Sequence, residues 1–255
     1  METIIKEPKI TLVGAGPGDP ELLTIKGLKA IQKADVILYD ALVNEELLDE
    51  APDAKIIFVG KRRGQKALTQ KEINSLIVDS ALKYGHVVRL KGGDSFVFGR
   101  GFEEIQFIQL FGIPVDVIPG ISSSIAVPAL ANIPVTHRGV SNHFTVITAT
   151  LSDGSLNPEI DKLASLNGTV VVLMGLNKLD EIASLYAKAG KEKIPFAVIS
   201  NGSLTSQRTV IGTAKSISKQ VNLLRIPAPA TIVVGEVVAI SEIQNHSKNV
   251  TLNYN

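Results

Sequence analysis

Three loops bring together the residue types that can hold a small ligand. The first, Gly14-Ala15-Gly16-Pro17-Gly18-Asp19, follows an apolar β-branched run. Glycines let a chain turn sharply and approach a ligand closely. A GxGxxG dinucleotide fingerprint would need glycine at position 19, which is Asp19. Pro17 has no amide proton to offer a phosphate. On these residues alone a tight strand-helix turn is favoured over nucleotide phosphate binding. The second loop, Lys91-Gly92-Gly93-Asp94-Ser95-Phe96-Val97-Phe98-Gly99-Arg100-Gly101, combines paired glycines, a carboxylate and two aromatic rings. That set suits a ligand with a polar amine or ribose and an apolar body. The alternative is a solvated turn with core phenylalanines. The third, Pro119-Gly120-Ile121-Ser122-Ser123-Ser124, offers hydroxyls that can cap a helix or bind a carboxylate or ribose.

Basic residues recur at similar places. Lys61-Arg62-Arg63 follows one strand-like run, and Arg100 and Arg138 end two other strand-loop segments. A lone basic run is usually a solvated face. Several loops each bringing arginine suit a substrate with many carboxylates, which arginine grips bidentately. Asp40 follows the second strand-like run and can act as a base or cap the next segment. His86, His137, His143 and His246 have no metal-ligand spacing, so metal catalysis is not expected. There is no cysteine, hence no disulfide, thiolate metal site or cysteine nucleophile. Neither a GxSxG elbow nor a GxxxxGK[ST] loop occurs.

The elements that carry these loops alternate. Short β-branched runs at 9–14, 36–39, 56–59, 87–90 and 115–118 read as strands. Between them lie helical patterns, the clearest over 69–84. There Thr69 and Glu72 form a capping box, Ile73, Leu76, Ile77 and Tyr84 share a face, and Gly85 stands at the C-cap. This alternation predicts βαβ units and a mostly parallel sheet covered by helices. Ligand loops then fall at the carboxyl edge of that sheet. A second series of strands begins at Phe144 and continues at 169–174, 196–200, 209–212 and 231–234. The last runs but one are joined too closely for a helical crossover, which predicts an antiparallel pair and a mixed sheet. The expected organisation is two α/β domains, 1–138 and 139–255, with a cleft between them and a frayed polar tail over 245–255.

Composition agrees with such a chain. The 255 residues carry 26 Lys and Arg against 25 Asp and Glu, so overall charge gives no reason to expect nucleic acid or a membrane as partner. No signal-peptide h-region or membrane-span run is present, and a cytoplasmic protein is expected.

In chain order the loops spell GAGPGDPELLTIKG, YDALV, VGKR, QKEIN, VVRLKGGDSFVFGRG, GIPVDVIPGISS, IPVTHRG, LMGL and TIVVGEVV. This series, spanning nearly the whole chain, resembles the tetrapyrrole methylases. The resemblance implies the two-domain α/β fold of that family, unlike the usual Rossmann-type methyltransferase. It implies S-adenosylmethionine as methyl donor and S-adenosylhomocysteine as product. The implied activity is C-methylation of uroporphyrinogen III at C-2 and C-7, giving precorrin-2. A related methylase acting on a later corrin precursor, or one modifying diphthamide, is the alternative. By motif position, Pro17, Gly92, Gly93, Asp94, Val97, Ser122, Ser123, Met174, Gly202, Pro229 and Ala230 are implied to surround the cofactor. Asp40 and Lys61 match positions implied in proton transfer, and Arg62, Arg100 and Arg138 match positions suited to substrate carboxylates. A homodimer is implied as well. Ala41, Ser95 and Leu173 depart from the arginine, proline and tyrosine common in the family, and Thr148-Ala149-Thr150 replaces TGH. These departures bear on substrate placement more than on the cofactor.

Overall fold

The computed structural model describes residues 6–60 and 68–240. The chain divides into two compact units, one ending at Ser122 and the other beginning at Ser123. The division precedes position 138, expected from the sequence, because the helix Ser123–Leu130 packs on the strands of the second sheet.

In the first unit, strands β1 (Lys9–Gly14), β2 (Val36–Tyr39), β3 (Lys55–Phe58), β4 (His86–Lys91) and β5 (Val115–Ile118) form one sheet in the order β3-β2-β4-β1-β5. Every pairing is parallel. Helices α1 (Ile25–Ile31), α2 (Gln70–Tyr84) and α3 (Gly101–Gln109) connect them. Successive side chains on a strand point to opposite faces. Ile10, Leu12, Val36, Leu38 and Val87 therefore meet Ile73 and Ile77 of α2 and Ile105 and Ile108 of α3. Val13, Ile37, Val88 and Leu90 face the other way, onto Ile31 of α1 and Leu47. Each such fully buried aliphatic side chain contributes about 1.5–3 kcal/mol.

The strand order has a consequence for the loops. The connection after β1 leaves toward β2 across one face, and that after β4 leaves toward β5 across the other. Strands β1 and β4 are neighbours, so the direction in which the chain winds along the parallel sheet reverses between them, and the crevice outside their carboxyl ends is where open α/β sheets bind ligands.

Helix α2 starts as its sequence dictates. Glu72 N donates to Thr69 Oγ1 at 3.2 Å, and Thr69 N donates to Glu72 Oε2 at 2.7 Å. Gly85 closes the helix with φ 107°, a conformation that side chains oppose.

The second unit holds α4 (Ser123–Leu130), β6 (Phe144–Thr148), α5 (Glu159–Ser165), β7 (Thr169–Leu173), α6 (Leu179–Lys188), β8 (Pro195–Ser200), β9 (Arg208–Thr213), α7 (Ile217–Leu223) and β10 (Ala230–Val234). Its sheet runs β6-β7-β10-β8-β9. Strands β6 and β7 are parallel and the remaining pairs antiparallel, including the expected β8–β9 pair. Alternation again sorts the core. Val170, Val172, Phe196 and Val198 pack under α5, α6 and α7, whereas Ala197, Ile199 and Val233 pack with Val127 of α4. No helix among the described residues is long and apolar enough to cross a membrane.

Candidate active site

The glycines that end β1 and follow β4 and β5 meet at the sheet reversal. Gly16 and Gly93 exchange backbone hydrogen bonds, Gly16 N to Gly93 O at 3.2 Å and Gly93 N to Gly16 O at 2.6 Å. A Cβ on Gly14 would lie 2.5 Å from Gly120 Cα, and one on Gly120 would lie 2.1 Å from the Gly93 oxygen. Three loops thus touch backbone to backbone where no side chain fits. Gly92 takes up a fourth contact, since a Cβ there would come within 2.9 Å of Leu42 Cβ in the loop after β2. Gly93 itself has φ 67°, and a Cβ on it would meet nothing within 4 Å. The cradle is closed beneath Gly93 and open above it.

Asp94 braces this arrangement. Its Oδ1 accepts from Phe96 N at 2.8 Å and its Oδ2 from Gly120 N at 3.0 Å, tying the loop after β4 to the loop after β5. Pro17, Gly92, Gly93, Asp94 and Val97 are all partly exposed on these loops, and Ser122 lies two residues beyond Gly120. Ser95, by contrast, is buried, and its Oγ has no hydrogen-bond partner. A buried unsatisfied hydroxyl costs about 1–3 kcal/mol. Ser95→Ala is therefore expected to leave stability unchanged or raise it by about 1 kcal/mol in a urea melt. A clear loss of stability would show that the hydroxyl is bonded after all.

Beside the cradle lies a buried group of charges. On the α3 side of β4, Val87, Arg89 and Lys91 follow one another toward the carboxyl edge. Arg89 donates from Nε to Glu104 Oε1 at 3.2 Å, from Nη1 to the Leu38 and Leu90 carbonyls at 3.3 and 3.2 Å, and from Nη2 to Asp40 Oδ1 at 2.6 Å. Lys91 Nζ reaches Glu104 Oε1 at 3.2 Å and Asp40 Oδ2 at 3.4 Å. The side chains of Arg89 and Glu104 are 2% and 0% exposed and that of Lys91 6%, whereas Asp40 is 29% exposed. Asp40 is the one member of the four that reaches the surface appreciably.

Arg100 opens α3 with φ 58° and grips Glu103, Nε to Oε1 at 2.9 Å and Nη2 to Oε2 at 2.5 Å. Those hydrogen bonds hold the Glu103 carboxyl below the ordinary carboxylate range. Phe96 and Phe102 stand edge to face nearby with centroids 6.3 Å apart, and both are largely exposed. Lys61 and Arg62 lie outside the described residues.

In the second unit another set gathers at one edge of its sheet. Met174 follows β7 in a left-handed conformation, φ 53°, with its carbonyl accepting from Thr150 Oγ1 at 2.8 Å. Gly202 follows β8, and a Cβ on it would strike Val127 Cγ1 at 2.4 Å. Pro229 leads into β10, where Ala230 pairs with Ser200, and the Pro229 carbonyl accepts from Asn201 N at 2.9 Å. Ser123 begins α4. Arg138 is exposed in the turn between His137 and Ser141, on the same unit.

A doubly wound parallel sheet with a glycine cradle at its reversal, joined in one chain to a mixed sheet, defines the class. The chain belongs to the tetrapyrrole (corrin/porphyrin) methylases, whose family model matches residues 9–218. It is 48% identical over 240 residues to the uroporphyrinogen-III C-methyltransferase of Methanocaldococcus jannaschii, covering 92% of this chain and 99% of that one. It is 43% identical over 236 residues to the siroheme synthase of Methylobacillus flagellatus, covering 92% of this chain but only 50% of that protein. The fold matches the crystal structure of uroporphyrin-III C-methyl transferase from Thermus thermophilus complexed with S-adenyl homocysteine. That match has TM-score 0.79 and 36% identity over 91% of this chain and 99% of that one.

Proposed function

We propose that this chain transfers methyl groups from S-adenosylmethionine to C-2 and C-7 of uroporphyrinogen III, giving precorrin-2. The observation that carries the reading is the glycine cradle at the sheet reversal, in a chain nearly half identical along its length to a methyltransferase of that name. When bound, S-adenosylmethionine supplies an electrophilic sulfonium methyl group.

The residues fit such a donor. The backbone beneath Gly93 is closely packed and the space above it is open, which suits a ligand with a ribose and a charged amino-acid end. Pro17, Gly92, Gly93, Asp94, Val97 and Ser122 are assigned to the donor on that ground. The same assignment for Ser123, Met174, Gly202, Pro229 and Ala230 rests on the family motif. The protein's main contribution is orientation, since holding a nucleophilic pyrrole carbon in line with the methyl group removes much of the entropic barrier. Asp40 is assigned to accept the proton that the methylated framework releases, and Lys61 to assist proton movement. Arg62, Arg100 and Arg138 are assigned to the substrate's carboxylates. For Arg100 this requires exchanging Glu103 for a substrate carboxylate, a swap of like partners.

The test is incubation with uroporphyrinogen III and S-adenosylmethionine, read by product mass. Addition of two methyl groups is expected. Methylation confined to a later corrin precursor or to a protein acceptor would overturn the assignment. Arg138→Ala is expected to raise KM for the tetrapyrrole about tenfold, equivalent to about 1.4 kcal/mol, without changing donor affinity. We further propose that the protein is cytoplasmic, as its sequence suggests, and a homodimer, as the family resemblance implies. A monomer mass by light scattering at micromolar concentration would remove the second.

A further inference from the structure

We propose that Arg89, Lys91 and Glu104 are positioning residues that hold the Asp40 carboxylate in one orientation for proton transfer. The inference rests on the assignment of Asp40 above. Four charged groups under a sheet edge are not a natural source of stability, because desolvating ions costs as much as their attraction returns. Packed aliphatic side chains would stabilise the site at least as well. What the charges provide is geometry.

Arg89 cannot swing. Its guanidinium makes four hydrogen bonds, two to strand carbonyls and one each to Glu104 and Asp40. Glu104 Oε1 accepts from Arg89, Lys91 and Gln70 together, the last at 3.2 Å, while its Oε2 is buried with no partner. A carboxylate loaded on one oxygen and bare on the other is poorly used as an ion-pair partner. It is well used as a single fixed point that gathers two cations. Both cations then turn toward Asp40, one to each oxygen. Asp40, 29% exposed, thus has each oxygen held by one cation at the start of the loop after β2, the loop whose Leu42 lies against Gly92. The two cations and two carboxylates sum to zero formal charge, so the group as a whole is balanced.

The test is a double-mutant cycle in the full chain, with kcat, KM and S-adenosylhomocysteine affinity measured for each variant. Asp40→Asn is expected to lower kcat by about 100-fold, the scale of general base catalysis. Lys91→Met is expected to lower kcat about tenfold or more with KM and product affinity little changed, and the double variant to be no worse than Asp40→Asn alone. Lys91→Arg, which keeps a cation, should recover part of the loss. Asp40→Glu keeps the charge and all three neighbouring side chains, and moves the carboxylate by one methylene relative to Arg89 and Lys91. It should lose about tenfold in kcat even if Lys91→Met does not fold. Wild-type kcat in Asp40→Glu, or multiplicative losses in the double variant, overturns the positioning role. So does an unimpaired Lys91→Met beside an inactive Asp40→Asn. Full activity in Asp40→Asn instead overturns the role of Asp40 itself.

Discussion

Gly120→Ala is expected to weaken S-adenosylhomocysteine binding severely and to destabilise the chain by about 3 kcal/mol, the upper range for overpacking. The added methyl carbon would stand 2.1 Å from the Gly93 oxygen and 2.6 Å from Gly14 C and Cα. Those neighbours are backbone atoms of two other loops, so no rotamer change relieves the clash. The loops after β1 and β4 must part, and the Asp94 bond to Gly120 N is strained with them. Calorimetry should show affinity reduced by at least about 100-fold, or about 2.7 kcal/mol. Gly112→Ala is the control. Gly112 also has a positive φ, 69°, but a Cβ there meets nothing within 4 Å. It should cost about 1–2 kcal/mol of backbone strain and leave binding untouched. Retained affinity in Gly120→Ala would mean that the donor does not use this cradle.

Arg89→Met is expected to cost about 3–5 kcal/mol of stability, because it takes one of two cations from a fully buried carboxylate. Glu104 would keep Lys91 and Gln70 but lose a cation at 0% exposure, and the Leu38 and Leu90 carbonyls would lose their guanidinium donor. Chemical denaturation should show the first unit unfolding at markedly lower denaturant. Adding Glu104→Leu should return much of the stability, since an apolar pair replaces a buried carboxylate that has lost one of its two cations. It should not return kcat, because Asp40 keeps only Lys91 of its two cations. If Arg89→Met melts like the wild type, the buried pair is not formed as described.

Much of this architecture is legible in the sequence, and the part that is not has a common cause. The strands of both sheets show as β-branched runs, and the capping box at Thr69 and Glu72 is local enough to be read directly. The loop glycines stand out for the same reason. The charge network does not. Arg89 and Lys91 sit inside VVRLK, which reads as one more strand, and Glu104 lies in a helix that begins ten residues after Lys91. Their meeting is a tertiary event. A signal was nonetheless present, for two cations at alternate positions on a strand buried on both faces require a buried anion opposite. Asp94 is another case. Its type marks it as a ligand for a polar group, but only the structure shows both oxygens taken by backbone amides of two loops. Met174 reads as the last residue of a strand, yet its left-handed backbone takes it out of β7.

The pairing of β1 sets the order in which the first unit can form during synthesis. This strand lies between β4 and β5, with Lys9 aligned to His86 and Ile10 to Val115. Its nearest partner in sequence is therefore made only after some 75 further residues. At about 5–20 residues per second that is a wait of roughly 4–15 s. Throughout it, the apolar stretch Ile10 to Val13 has no neighbour with which to complete its hydrogen bonds. Protection of this segment from hydrogen exchange in stalled nascent chains should therefore appear only once β4 has emerged.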